Sequence, residues 1–288
     1  MSELKITIFG GTGFIGRSLK KYYSDKNCNV LAPTRQEVNL LDRNECTEYL
    51  DTNRPDIVIF AAVNVLSVEE SVQSFFNVLS NYRKFGRMIC FGSGAEYNPK
   101  VYTPLMIEHK FTSSYPENGY PLAKFLMARE IELGPCKNAV NLRLFGVYGE
   151  YEDHSRRFIS NNICRVLSGL PLSMNQDMKF DYIYVYDLCK IIDEIINKNL
   201  LSERSYNLCS GKPVTLKHLA HLIARQMDYK DEIIIKKTGM NHEYSGNPKK
   251  FFAEFGMFDF TQHQNAICKM VEYFINQFEN SDQMKIFE

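Results

Sequence analysis

The chain carries no net charge: 34 Lys and Arg balance 34 Asp and Glu in 288 residues. That balance gives no reason to expect nucleic acid or an anionic membrane, so any anionic ligand must be held by local groups. C-x-x-C pairs are lacking as well. The eight cysteines, at 28, 46, 90, 136, 164, 189, 209 and 268, are never closer than 18 residues. Reduced structural thiols are therefore expected, and neither a metal site nor disulfides. No apolar run approaches a membrane span; "IVIFAAV" (57–63) is among the longest. The opening "MSELKITIFGG" lacks a basic region, an apolar stretch and a cleavage site. Long Pro, Ser or Gln tracts and internal repeats are missing too. With 44% hydrophobic residues, a globular cytoplasmic protein is expected.

Alternating apolar runs and helical periods are what the sequence does contain. "KITIFG" (5–10), "VIF" within 57–60, "RMICFG" (87–92) and "AVNLRLF" (139–145) read as strands buried on both faces. Helical spacing fills 14–24, 44–52, 67–84 and 119–133. This alternation implies α/β architecture, a doubly wound parallel sheet of Rossmann-like type. Past Gly149 the pattern changes, and 215–227 reads as a further amphipathic helix. The expected division is 1–150 as a cofactor-binding domain, with 176–198 returning to it. A smaller C-terminal α/β substrate lobe then comprises 151–175 and 199–288, and the final "NSDQMKIFE" reads as frayed.

"GGTGFIG" follows the first strand and opens the first helix. Gly10, Gly13 and Gly16 allow a tight turn and close approach to a pyrophosphate, with Phe14 and Ile15 beginning the helix. At the end of the second strand an NAD site usually shows Asp or Glu. Here "NVLAPTRQEV" shows Arg35, whose planar fork suits a 2′-phosphate, so NADP(H) is the expected cofactor. Glu37 nearby leaves room for a plain surface arginine.

"YPLAK" sets Tyr120 and Lys124 one helical turn apart on one face. A nearby ammonium favours the phenolate and lowers the tyrosine pKa from about 10. Ser93, in "ICFGSGAEY", ends the strand beside that helix and can hold a substrate oxygen.

With these blocks in order, and with "PDIVIFAAV", "LRLFGVYG", "FDYIYVYDL" and "YNLCSGKPVTLKHLA", the chain resembles an extended short-chain dehydrogenase/reductase of the nucleotide-sugar epimerase/dehydratase superfamily. "LAPTRQEVNLLDRNECTEYLDTNRPDIVIFAA" resembles the NADP-dependent GDP-L-fucose synthase branch. The resemblance implies Ser93, Tyr120 and Lys124 as the catalytic triad, with Tyr120 and Lys124 also touching the cofactor. It implies cofactor-lining backbone at Ala61-Ala62 and Phe145-Gly146-Val147. It also implies a nucleotide-sugar substrate and a homodimer through the helices at 67–84 and 119–133.

Departures from the family narrow the activity. The Asp and Glu of the sugar dehydratases correspond to Gly94 and Ala95, which cannot transfer a proton, so dehydration is not expected. The Cys of the fucose synthases also corresponds to Ala95, and their His to Arg157, with His154 nearby as a loop histidine. Ketone reduction at C4 of a nucleotide-linked 4-keto-6-deoxy sugar remains, and composition fits a bacterial surface-polysaccharide pathway. A 4-epimerase is the alternative, and a non-catalytic NADP(H) sensor a lesser one. On the substrate side Ser93, Ala95 and Asn161 of "FISNNI" are candidates. So is Lys179, beside the Phe180 that replaces a family arginine. Asn207 and Lys249 are weaker candidates, and Asp187 reads as a helix N-cap.

Overall fold

A computed structural model describes residues 4–26 and 28–280; beyond Asn280, the reading of "NSDQMKIFE" lies outside the described residues. Six strands form the central sheet: β1 (Lys5–Phe9), β2 (Asn29–Leu31), β3 (Ile57–Phe60), β4 (Arg87–Ser93), β5 (Ala139–Leu144) and β10 (Ser205–Leu208). All pair in parallel, in the order β2-β1-β3-β4-β5-β10. Side chains alternate between the faces. Ile6, Ile8, Ile57, Ile59, Ile89 and Phe91 enter one core, while Phe9, Val58, Phe60, Met88 and Cys90 enter the other. The first core is covered by α1 (Phe14–Asp25) and by α6 (Val185–Asn197), which supplies Leu188, Ile191, Ile192 and Ile195. The second is covered by α2 (Arg43–Asn53), α3 (Val68–Leu79) and α4 (Gly119–Leu133). Helices on both faces make this a doubly wound, Rossmann-like sheet.

The second lobe is built from short pieces. β6 (Gly146–Tyr148) pairs with β9 (Tyr182–Tyr184), β7 (Ser173–Asp177) with β12 (Ile234–Met240), and β8 (Lys179–Phe180) with β11 (Val214–Thr215). α5 (Phe158–Leu167), α7 (Leu216–Gln226) and α9 (His263–Asn280) pack around Ile163, Leu219, Ile223, Ile267 and Met270. Within 199–288, β10 joins the central sheet, and Phe251 of α8 (Lys249–Phe255) enters the core with it, so that stretch contributes to both lobes.

Two local expectations change. The helix expected over 67–84 ends at Leu79. The chain then tightens into turns, with the Asn81 and Tyr82 amides donating to the Val78 and Leu79 carbonyls. Asp187 is not an N-cap, because α6 already begins at Val185. Its buried carboxylate accepts from the Thr261 amide at 2.7 Å and the Thr261 hydroxyl at 2.9 Å, tying α6 to the approach of α9.

Candidate active site

The strand order reverses between β1 and β3, which opens a crevice at the carboxyl ends of those strands. The chain leaves β1 through Gly10, at φ +88°, where a Cβ would stand 2.6 Å from the Ala62 amide nitrogen. A Cβ on Gly16 would meet the Gly10 carbonyl at 2.1 Å. Only glycine permits strand, loop and helix to close up here. Gly13 caps α1 without a side-chain bond, so the first-turn amides stay directed at the crevice. Phe14 packs towards the second-lobe core, Ile15 towards the sheet core, and Val147 touches both. Alongside lies a cavity of about 450 Å³ lined by Gly10, Thr12, Arg35, Asn39, Ala62 and Glu70 among others. Its size and a glycine cradle that a Cβ would fill fit the adenosine half of a dinucleotide. Arg35 lies 3.7 Å from Glu70.

Ser93 is the last residue of β4 and is buried, 8% exposed. The next three residues form a single 3-10 turn closed by a capping box. Ser93 Oγ accepts from the Ala95 amide at 3.1 Å, and Glu96 Oε1 accepts from the Ser93 amide at 2.8 Å. Glu96 is fully buried; Asn141 Nδ2 donates to it at 3.0 Å and Arg143 Nε at 2.6 Å, and Arg143 Nη2 reaches Glu132 at 2.6 Å. Burial pushes the Glu96 carboxyl up and Arg143 pulls it down. These donors hold it as a brace behind Ser93 rather than a free acid.

Tyr120 and Lys124 occupy the first turns of α4, which packs on β4. The Lys124 ammonium is buried; it donates to the Phe91 carbonyl at 2.6 Å and stands 5.7 Å from the centre of the Tyr120 ring. The structure thus fixes Lys124 on the strand that ends in Ser93, with the Tyr120 ring beside its ammonium.

Tyr244, missed from sequence, completes the surroundings. It sits in the loop between β12 and α8, its hydroxyl 3.5 Å from Ser93 Oγ. Its ring stacks on Tyr102 at 5.6 Å and contacts Phe145 at 5.4 Å and Phe180 at 4.9 Å. A Cβ on Gly94 would meet the Tyr244 hydroxyl at 2.7 Å and the Phe145 ring at 2.6 Å, so the small residue makes room for both rings. Burial pushes the Tyr244 phenol up, which leaves it a hydrogen-bonding group and not a base. Glu96 had a visible signal, the Ser-x-x-Glu spacing of a capping box. Tyr244 had none, since it arrives from 151 residues away.

A second cavity of about 370 Å³ lies in the other lobe, lined by Arg156, Arg157, Asn161, Gln176, Lys236 and Asn241 among others. Asn161 faces it and donates to the His154 carbonyl at 2.9 Å. The remaining candidates fall elsewhere. Lys179 is exposed on β8 opposite Thr215 and lines neither cavity. Asn207 is buried, bonded to the Tyr97 hydroxyl and the Met106 carbonyl at 2.7 Å each. Lys249 is exposed at the start of α8. The His154 ring lies against Phe274 of α9, 6.3 Å between centroids.

A model of the NAD dependent epimerase/dehydratase family matches residues 6–209. The chain belongs to this family. It is similar to GDP-L-colitose synthase of Yersinia pseudotuberculosis, 23% identical over 313 residues, covering 96% of this chain and 100% of the relative. GDP-6-deoxy-D-talose 4-dehydrogenase of Aggregatibacter actinomycetemcomitans is 24% identical over 277 residues, covering 88% and 92%. In fold it is similar to a GDP-L-fucose synthetase from Naegleria fowleri, with a TM-score of 0.85 at 17% identity, covering 98% of this chain and 95% of that one. These similarities agree with the fucose-synthase-like pattern read in the sequence, and no helix among the described residues is long and apolar enough to cross a membrane.

Proposed function

We propose that the protein reduces the C4 ketone of a GDP-linked 4-keto-6-deoxy sugar with NADPH. The observation that carries this reading is the company Ser93 keeps. Lys124 is bonded to its strand with Tyr120 beside it, while Gly94 and Ala95 offer no proton-transferring group. Glu96 is locked to Arg143, and His154 is packed on α9. Such a site supports hydride transfer at an alcohol or ketone carbon without elimination or epimerisation at its neighbours. The GDP assignment is supported by the names of the two relatives.

Gly10, Gly13, Phe14, Ile15, Gly16 and the backbone at Ala61, Ala62, Phe145 and Val147 would hold a dinucleotide, with Arg35 on the adenosine side. When bound, NADPH supplies the hydride. Tyr120 gives its phenolic proton to the C4 oxygen as that oxygen gains charge. Ser93 Oγ holds the same oxygen. Lys124, fixed by the Phe91 carbonyl, places a positive charge beside the Tyr120 ring. Asn161 and the second cavity would take the nucleotide.

NADPH consumption with a GDP-linked 4-keto-6-deoxyhexose tests the reading. Oxidation supports it; tight coenzyme binding without oxidation points to the 4-epimerase, to be assayed on fully hydroxylated sugars. One feature favours that second reading: Glu70, facing Arg35 in the adenosine cavity, can accept from a ribose hydroxyl, as an NAD site requires. We further read α3 and α4, which leave Phe76 and Leu133 exposed, as a dimer face. A monomeric mass in solution would count against it.

A further inference from the structure

The adenosine-side cavity draws charged side chains from both lobes. Arg35 follows β2, and Glu70 lies in the first turn of α3, 3.7 Å away. Asn64 Nδ2 donates to Glu70 Oε2 at 2.8 Å and keeps the carboxylate in place. The pair therefore brings no net charge to the cavity. Among the described residues lining it, one further side chain is ionic: Arg156, on the loop from β6 to α5 in the second lobe. Its acidic neighbour, Asp153, is 3.7 Å away, and its side chain is 69% exposed. Exposed pairs of this kind hold a guanidinium weakly.

We infer that Arg156 is the second-lobe ligand of the coenzyme's 2′-phosphate. The inference rests on the NADPH reading above. A 2′-phosphate placed beside Arg35 also meets the Glu70 carboxylate, which opposes it. Arg156 restores a net positive charge in that cavity, and a guanidinium can present two parallel N–H donors to one phosphate. The assignment to the 2′-phosphate rests on Pro33, Thr34 and Arg35, which follow β2 and border this cavity; Gly10 and Thr12 of the glycine loop border it too, and Arg156 also lines the second cavity. On this account coenzyme discrimination is shared between lobes, and Arg35 alone does not decide it.

The test measures dissociation constants of NADPH and NADH by coenzyme fluorescence for the wild type, Arg156→Ala and Glu70→Gln. Arg156→Ala should weaken NADPH about tenfold, the size expected of a lost charge-assisted contact, and leave NADH within about twofold. Glu70→Gln should tighten NADPH by releasing Arg35. An equal loss for both coenzymes in Arg156→Ala, or no loss, overturns the role of Arg156. A wild type that binds NADH more tightly overturns the NADPH reading itself, and that result needs no variant. Because Arg156 is largely exposed, its alanine variant should fold like the wild type.

Discussion

The surroundings of Ser93 and the lining of the second-lobe cavity are both rich in charge, yet they are held in opposite ways. Around Ser93, Glu96 and Arg143 are fully buried and Lys124 is 5% exposed, each with a fixed partner. Around the second cavity, Arg156, Arg157 and Lys236 are exposed. Proton and hydride transfer depend on placing reacting groups within fractions of an ångström. Attraction of a phosphate tolerates mobile, solvated cations. On the proposed reading, catalytic geometry is built into the sheet and braced from behind, whereas ligand capture is left to loops that meet water.

Variants at the braced end should give the largest effects. Tyr120→Phe removes the proposed proton donor and should lower turnover ~10²–10⁴-fold. NADPH affinity should stay near the wild-type value. A non-catalytic sensor would show no such split, so steady-state turnover and coenzyme titration together separate the two. Glu96→Ala leaves Arg143 buried without its main counter-charge and should cost about 3–5 kcal/mol in urea unfolding. Arg156→Ala, at the solvated end, should cost about 0–0.5 kcal/mol in the same measurement. Equal losses at the two positions would erase the contrast between the regions.

What could be read from sequence follows the same division. The parallel sheet, the glycine loop and the Tyr120–Lys124 spacing depend on neighbours within a few residues, and strand or helix periodicity reports those directly. β1, β3, β4 and β5 match the apolar runs to within a residue at each end. The second lobe is assembled otherwise. β6 meets β9 across 33 intervening residues, and β12 meets β7 across 56. No local period encodes such pairings. Tyr244 and Arg156 reach their places through that assembly, while Lys179, chosen by position beside a motif, is carried to the exposed face of β8. The brace on Ser93 lies between: its Glu was legible as a cap, but its Arg143 partner, inside an apolar strand, was not.

A smaller effect concerns pH. Glu152 is buried, 5% exposed, and Oε2 has no hydrogen-bond partner. Burial pushes its carboxyl up to about 8, from 4.5. The folded protein then holds a proton that the unfolded chain releases, so stability falls as pH rises from about 4.5 to 8. Glu152→Gln should remove this slope and gain on the wild type by about 2 kcal/mol at the alkaline end, the scale of an unpaired buried polar group. Thermal melts from pH 5 to 9 would show it; a constant difference between the two proteins would exclude the shift. His263, held neutral by burial at about 4, gives the wild type an opposite slope below pH 6.5, which cancels in the comparison.

The smallest expected change is the most informative about how the two lobes meet. Tyr244→Phe keeps the ring on Tyr102, Phe145 and Phe180 and removes only the hydroxyl facing Ser93. Ser93 Oγ already accepts from the Ala95 amide. A Tyr244 hydroxyl donating to it fills its remaining acceptor position and leaves the serine proton for the substrate oxygen. Loss of one such bond is worth about 1 kcal/mol, or roughly fivefold in turnover, with KM little changed. Ser93→Ala removes the group that Tyr244 orients, so the double variant should be no slower than Ser93→Ala alone. If the two losses multiply, Tyr244 contacts the sugar independently of Ser93, and the second lobe acts on the substrate directly and not through Ser93.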